Sequence, residues 1–270
     1  MKKIIALAVC ALMMLGMLAG CGTKVEPDES SAVPTVVEDV QAVQGAGKLV
    51  VGVTVFEPMD YQDEAGNWAG FDADMAKAFA ETLGVKAEFM IVDWDTKAVE
   101  LDNGTIDCVW NGMTLTDDVR ALMDCSKPYC NNQQVIVVKK DVADKYQTAE
   151  ACKELKFAVE NGSAGQEQAE AYGFDFTPVV DQATTLMEVA SGTCDAAIID
   201  SLMAAAMVGE GTGYADLTYT VGLNDEQYGV GFRKGSDLVA KLDEFLDAAK
   251  ADGTLEKIAE QYKVQAALIK

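Results

Sequence analysis

Two acidic residues stand where side chains of an α/β protein could act on a small molecule. Asp200 ends an apolar run at residues 196–200, and Glu160 directly follows another at residues 155–159. Ligands of open α/β sheets bind beyond the C-terminal ends of strands. The two carboxylates could act there as a general acid and base or hold a cationic group. Asp200 could instead cap a following helix, and Glu160 could be a solvated charge in a turn.

The composition excludes several other chemistries. The 270 residues contain no histidine, which removes the commonest general base and metal ligand. Catalytic triads, zinc sites and haem ligation that depend on histidine are therefore excluded. We also expect no cofactor, no metal and no catalytic residue. The net charge of −23 leaves no basic patch that could bind nucleic acid.

The first residues predict export. Lys2 and Lys3 precede an apolar run at residues 4–18, which is short for a membrane span. The Leu-Ala-Gly that leads to Cys21 resembles a bacterial lipobox. We expect residues 1–20 to be a lipoprotein signal peptide and Cys21 to carry a lipid that anchors the chain outside the cytoplasm. A plain secretory signal and a short membrane anchor are the alternatives.

Residues 21–47 contain prolines, serines and acids without clear periodicity and are expected to form a flexible tether. Strand and helix patterns then alternate. Strands are predicted at residues 48–54, 87–92, 106–110, 133–139, 155–159, 176–179, 196–200 and 228–232. One helix is predicted to begin after an N-cap at Asp72. Further helices are predicted at residues 94–103, 166–172, 184–191, 201–208, 237–251 and 254–262.

This order predicts two α/β lobes joined by two crossing strands. Residues 48–131 and 228–270 would form lobe one, and residues 132–227 would form lobe two. A ligand crevice would lie between the two sheets, where hinge closure could bury a small molecule.

Five cysteines remain beyond the signal and the lipid site. Cys108 lies in an apolar strand and is expected in the core. Cys125 with Cys130, or Cys152 with Cys194, could pair in an oxidising compartment, and buried free thiols are the alternative.

Four segments resemble signatures of one protein family. They are GFDADMA at residues 70–76, IDCVWNGMTLT at 106–116, SKPY at 126–129 and DAAIID at 195–200. They are similar to segments of the polar amino-acid family of extracellular solute-binding proteins. The resemblance implies a type II periplasmic-binding-protein clamshell, with two α/β lobes joined by two hinge strands. It also implies a small-molecule ligand, most simply an amino acid, and an ABC permease as partner.

The resemblance implies ligand contacts from lobe one. Phe56 matches an aromatic that stacks on the ligand, and Trp94 matches a pocket wall, although Trp94 could instead be a core residue at a helix start. Gly112, Met113 and Thr114 match a turn that offers backbone groups and a hydroxyl to the ligand.

Lobe two supplies further contacts by the same resemblance. Asp200 matches the carboxylate that binds the ligand's α-ammonium. Ser163 and Ala164 match a turn whose N–H groups at a helix start suit an anionic group. Glu160 matches a position that faces the ligand side chain, where a carboxylate would favour a cationic or donor-rich group.

One position departs from the family. Its members usually place a carboxylate-binding arginine five residues after the threonine that matches Thr114, and this chain has Val119 there. Arginine follows at Arg120. One residue turns a helical side chain by about 100°, so Arg120 either reaches the ligand through local rewinding or is a surface charge.

These observations predict a monomeric transport receptor tethered to the membrane. If Arg120 misses the site, the ligand could be a modified amino acid, a small peptide or an amine. A dehydratase-like enzyme that uses Asp200 and Glu160, and a sensor without a transport role, are the remaining alternatives.

Overall fold

The computed structural model describes residues 36–270. The predicted signal peptide, Cys21 and the tether as far as residue 35 lie outside the described residues. Within the described range, no helix combines the length and the hydropathy that a membrane crossing requires.

The described residues form nine α-helices and thirteen strands. The helices are α1 Asp39–Ala46, α2 Phe71–Thr82, α3 Lys97–Asp102, α4 Asp117–Leu122, α5 Ala164–Tyr172, α6 Gln182–Ser191, α7 Ser201–Met207, α8 Leu238–Asp252 and α9 Thr254–Gln261. The strands are β1 Lys48–Val53, β2 Tyr61–Gln62, β3 Trp68–Ala69, β4 Lys86–Ile91, β5 Cys108–Thr114, β6 Asp124–Cys125, β7 Cys130–Asn132, β8 Gln134–Lys139, β9 Lys156–Glu160, β10 Asp175–Val179, β11 Ala196–Asp200, β12 Leu217–Gly222 and β13 Glu226–Phe232.

Two sheets define two lobes. The sheet of lobe one has the order β4-β1-β5-β13-β6, with β7 also paired to β13. The sheet of lobe two has the order β10-β9-β11-β8-β12. The chain passes between the sheets from β7 to β8 and returns from β12 to β13. This mixed α/β arrangement confirms the predicted fold class, while the lobe boundaries at 131/132 and 227/228 stay predictions.

The central strands are those with the most continuous apolar sequence. All five residues of β11 are buried because helices cover both faces of its sheet, and it begins and ends where the sequence predicted. Strand β11 runs parallel to β9, so their C-terminal ends lie at the same edge of lobe two. That edge carries Glu160 and Asp200.

The predicted tether is wrong over its last residues, because α1 is folded there. Val43 of α1 is buried in the core of lobe one. Asp39 accepts a hydrogen bond from Arg233 at 2.7 Å. The helix is held by contacts with residues nearly two hundred positions away, which the local composition does not reveal.

The predicted N-cap at Asp72 is also wrong. Helix α2 begins at Phe71, with Gly70 at the N-cap position, and Asp72 lies within its first turn. The buried carboxylate of Asp72 accepts hydrogen bonds from the backbone N–H of Gly112 at 2.6 Å and the hydroxyl of Tyr129 at 2.7 Å. Asp72 therefore ties α2 to β5 below the site described next.

The structure holds the five cysteines of the described chain as free thiols, so neither alternative disulfide is formed. Cys108 is fully buried in β5, as predicted. Burial raises the pKa of its thiol well above the usual value.

Candidate ligand-binding cleft

A small cavity of about 20 Å³ lies between the two lobes. That volume holds about one water molecule. Lobe one contributes Trp94, Lys97, Asn111, Gly112, Met113, Thr114, Thr116 and Val119 to its lining, and lobe two contributes Glu160, Gly162, Ser163, Ala164, Glu167, Gln182 and Asp200. The lobes are closed on each other, so a ligand of several heavy atoms can enter only when they separate.

Asp200 is held in place by a set of donors. Its side chain is 3% exposed, and its Oδ1 atom accepts hydrogen bonds from Tyr228 at 2.6 Å and from Gln134 at 3.1 Å. Asn132 also donates to Oδ1, and Gln182 donates to Oδ2. These bonds fix the carboxylate at the cavity and leave acceptor capacity mainly on Oδ2.

Asp200 does not serve as a helix cap. It occupies the N-cap position of α7, but its side chain makes no capping hydrogen bond. Burial, and secondly the charge of Glu226, raise the pKa of Asp200 well above its usual value. A cationic group in the cavity would stabilise its charged form.

Glu226 was missed by the sequence analysis. It lies where the chain returns to lobe one, and its Oε1 atom accepts hydrogen bonds from Thr114 at 2.9 Å, Asn132 at 2.7 Å and Gln134 at 2.9 Å. The hydroxyl proton of Thr114 is therefore used within the protein. Only the position of Glu226 beside a predicted crossing strand could have indicated this role.

Gly112 lies against Phe56 rather than presenting a free backbone donor. Its N–H group is bonded to Asp72 at 2.6 Å. Its φ angle is +53°, and a Cβ atom there would lie 2.4 Å from Cε1 of Phe56. The ring of Phe56 is buried, packs edge-on against Tyr228 with centroids 6.3 Å apart, and lies outside the lining of the cavity. Glycine at 112 permits this close approach.

Trp94 and Met113 combine core and cavity positions. Both are buried in one apolar cluster of lobe one, and both also line the cavity. The pocket-wall and core alternatives for Trp94 therefore describe the same position.

Lys97 is a cleft residue that the sequence analysis missed. It is 8% exposed, and its Nζ atom donates hydrogen bonds to the carbonyl of Trp94 at 2.9 Å and of Gly162 at 3.1 Å. The Nζ atom also lies 4.7 Å from the centre of a Trp94 ring. Burial lowers the pKa of Lys97, and the charge of Glu160 opposes that effect.

Glu160 has an unused acceptor in the cavity. It is 2% exposed, so the alternative of a solvated turn charge is excluded. Its Oε1 atom is buried without a hydrogen-bond partner among residues 36–270. Burial raises the pKa of Glu160 to about 8, with further increases from Asp200 and Asp181 and an opposing effect of Lys97. The carboxyl group can take up a cation or donor that enters the cavity.

Ser163 and Ala164 begin α5 at the cavity wall. Ser163 is the N-cap, and its Oγ atom accepts a hydrogen bond from the N–H of Gln166 at 3.2 Å. Just before them, a Cβ atom on Gly162 would lie 2.7 Å from Cα of Asp95 in lobe one. The backbones of the two lobes touch at this point.

The side chains of Val119 and Arg120 line two different cavities. Val119 is 8% exposed and lines the cavity. Arg120 is exposed and lines an adjoining open cleft of about 640 Å³, along with Thr114, Ala164 and Glu226. The arginine side chain therefore lies outside the central cavity in this closed form.

Known proteins share both the fold and the sequence pattern. A substrate-binding protein of an ABC uptake transporter from Streptococcus pneumoniae, solved with bound histidine, has a TM-score of 0.78 and 29% identity over 86% of this chain and 99% of its own. An ancestral amino acid-binding protein, described as a precursor of cyclohexadienyl dehydratase, has a TM-score of 0.76 and 33% identity over 83% and 99%.

Sequence comparison gives the same result. The L-cystine-binding protein TcyJ of Escherichia coli (strain K12) is 27% identical over 94% of both chains. The model of one family matches residues 49–265. With its two sheets and the cleft between them, this chain belongs to the bacterial extracellular solute-binding proteins, family 3.

Proposed function

We propose that this protein binds an amino acid between its lobes outside the cytoplasm and delivers it to an ABC permease. The observation that carries the proposal is the Oε1 atom of Glu160, which is buried in the interlobe cavity near Asp200 and has no hydrogen-bond partner within the described part of the chain. A buried carboxylate without a partner is costly, and a ligand cation or donor removes that cost. The named ligands of the relatives are amino acids, which supports this class.

The charge of the cavity favours a ligand with a cationic or donor-rich side chain. Three of the lining residues are acidic, and Lys97 is the only basic one among them. Asp200 would accept the α-ammonium group through Oδ2, and Glu160 would accept the side chain. A cation that enters the cavity stabilises the ionised forms of these carboxyl groups, whereas an acidic ligand would be repelled by them.

Ligand binding would select the closed form. A ligand that contacts both lobes binds the closed state more tightly than the open one, so it shifts the population toward closure. The closed lobes would present a surface to the permease that differs from the open one. The inter-lobe bond from Lys97 to Gly162 is one of the contacts that such closure would form.

A thermal-shift screen against the twenty amino acids tests the proposal. We expect at least one cationic or amide-bearing amino acid to raise the Tm at millimolar concentration, because a ligand that binds only the native state stabilises it. Aspartate and glutamate serve as controls and are expected to give no shift. A screen in which no amino acid raises the Tm would contradict an amino-acid ligand.

We also propose that a lipid on Cys21 holds the protein at the membrane. In bacterial cells, Cys21→Ser is expected to abolish incorporation of labelled palmitate and to release the protein from the membrane fraction. Cys10→Ser, which changes the other cysteine of the first 21 residues, is the matched control and is expected to keep both properties. Equal labelling of the Cys21→Ser chain would show that this anchor is absent.

An enzymatic role is the second candidate. Glu160 and Asp200 are neighbouring carboxyl groups of raised pKa, as acid–base catalysis requires. One structural relative is also described as a dehydratase precursor. Incubation with prephenate, followed by ultraviolet detection of an aromatic product, distinguishes the two functions. The transport proposal predicts no turnover.

A further inference from the structure

We propose that Lys97 binds the carboxylate of the ligand. The inference rests on the proposed amino-acid ligand and deepens it by assigning the group that neutralises the ligand's negative charge. An amino acid that enters the cavity brings an α-carboxylate, and a carboxylate removed from water needs a cation or several hydrogen-bond donors.

Two donors that lobe one brings to the cavity are already used. The N–H of Gly112 is bonded to Asp72, and the hydroxyl of Thr114 donates to Glu226. The side chain at position 119 is an apolar valine, and Arg120 lies outside the cavity lining. All lining residues belong to the described part of the chain, and Lys97 is the only one of them with a positive charge.

The ammonium of Lys97 has donors to spare. It can donate three hydrogen bonds, and two are made within residues 36–270, both to neutral backbone carbonyls. No carboxylate of this part of the chain lies within salt-bridge distance of Nζ. Its charge is therefore not neutralised by a direct ion pair.

Lobe opening would free a second donor. The bond to Trp94 lies within lobe one, whereas the bond to Gly162 crosses to lobe two and breaks when the lobes separate. Within the described part of the chain, the third N–H group is free in the closed form, and a second is available to a carboxylate that arrives while the lobes are open. The ring of Trp94 and the bond to its carbonyl keep the ammonium at the cavity in the meantime.

Paired ligands separate this role from a purely structural one. The probes are L-arginine, L-histidine and L-glutamine, each compared with its α-methyl ester, which keeps the ammonium and the side chain but removes the negative charge. Calorimetry on the wild-type protein is expected to show a preference for the free acid. Lys97→Met is expected to weaken binding of the free acid roughly 10- to 100-fold, as for the loss of a charged hydrogen bond, and binding of the ester less than about threefold.

Two further variants complete the experiment. Lys97→Arg keeps the charge and is expected to retain the preference for the free acid. Arg120→Met removes a cation of the outer cleft and is expected to change neither affinity. Circular dichroism and the Tm of each variant establish that it is folded.

The outcomes are distinct. The inference is overturned if the affinity of Lys97→Met for the free acid is within threefold of the wild-type affinity. It is also overturned if the substitution weakens binding of the acid and of the ester equally. In both cases the proposed amino-acid ligand stands. Wild-type protein that binds none of the six probes contradicts both the inference and the proposed cationic or amide-bearing ligand.

Discussion

The Nζ atom of Lys97 in lobe one lies 3.1 Å from the carbonyl oxygen of Gly162 in lobe two. A backbone contact between Gly162 and Asp95 lies at the same place. Closure of the lobes therefore brings the ammonium of Lys97 to a carbonyl of lobe two. At the same place the backbones of Gly162 and Asp95 are in direct contact, with no side chain between them.

Gly162→Ala is expected to hinder closure. The new Cβ atom would lie 2.7 Å from Cα of Asp95, so the lobes must shift apart. We expect ligand affinity to fall roughly tenfold, which corresponds to about 1.4 kcal/mol. Calorimetry measures the affinity, and small-angle scattering measures the compactness of the ligand-bound form.

The control for this variant is Gly173→Ala. Both glycines have positive φ angles, +70° and +69°, so both substitutions introduce similar backbone strain. A Cβ atom at Gly173 meets no atom within 4 Å. If both variants lost the same affinity, the loss would come from backbone strain and not from hindered closure of the lobes.

Glu160 is expected to make stability depend on pH. Its pKa is about 8 in the folded protein and about 4.5 as a free group, so the folded state keeps a proton that the unfolded state loses. Stability therefore falls as the pH rises from about 4.5 to about 8. Glu160→Gln removes this loss and is expected to be more stable than wild type at pH 9, by up to about 5 kcal/mol.

Urea unfolding of both proteins at pH 4 and pH 9 measures the effect. Near pH 4 the carboxyl group is mostly protonated in both states, so the two proteins should differ little. Glu188→Gln changes a partly exposed glutamate of α6 and serves as the control. A difference between wild type and Glu160→Gln that is the same at both pH values would refute this account of Glu160.

The close packing of Gly112 on Phe56 predicts a stability loss. Gly112→Ala places a Cβ atom 2.4 Å from the ring, at a φ angle of +53°. We expect the free energy of unfolding to fall by about 2–4 kcal/mol, from backbone strain plus overpacking. Gly104→Ala, with φ of +71° and open space around the Cβ position, should lose only the strain part. A second change, Phe56→Leu, should recover part of the loss at position 112 through relief of the clash.

The central strands, and the sheet edge that carries Glu160 and Asp200, could be predicted from the sequence because runs of apolar residues indicate buried strands. Strand β11 is wholly buried, and its limits were predicted correctly. Strand β12 was missed because it alternates partly exposed residues and presents Tyr219 to solvent. Its strand conformation comes from antiparallel pairing with β8, which lies far away in sequence.

The missed site residues have a similar explanation. Lysines are usually at the surface, and the burial of Lys97 depends on Gly162, which is 65 positions further along the chain. Asp72 has the residue type of an N-cap, but its partners Gly112 and Tyr129 are supplied by the tertiary fold. Local patterns locate the elements, whereas the partners of buried polar groups require the three-dimensional structure.

Calorimetric titration with the twenty amino acids tests the central claim most directly, using wild type, Asp200→Asn and Asp195→Asn. Asp195 lies exposed just before the same strand, β11, at its opposite end from the cavity and is the matched control. We predict that wild type and Asp195→Asn bind the same amino acid with equal affinity. Asp200→Asn should bind it roughly 10- to 100-fold more weakly, because a charged hydrogen bond to the ammonium is lost. Wild-type protein that binds none of the twenty, or Asp200→Asn that binds as tightly as wild type, would contradict the account.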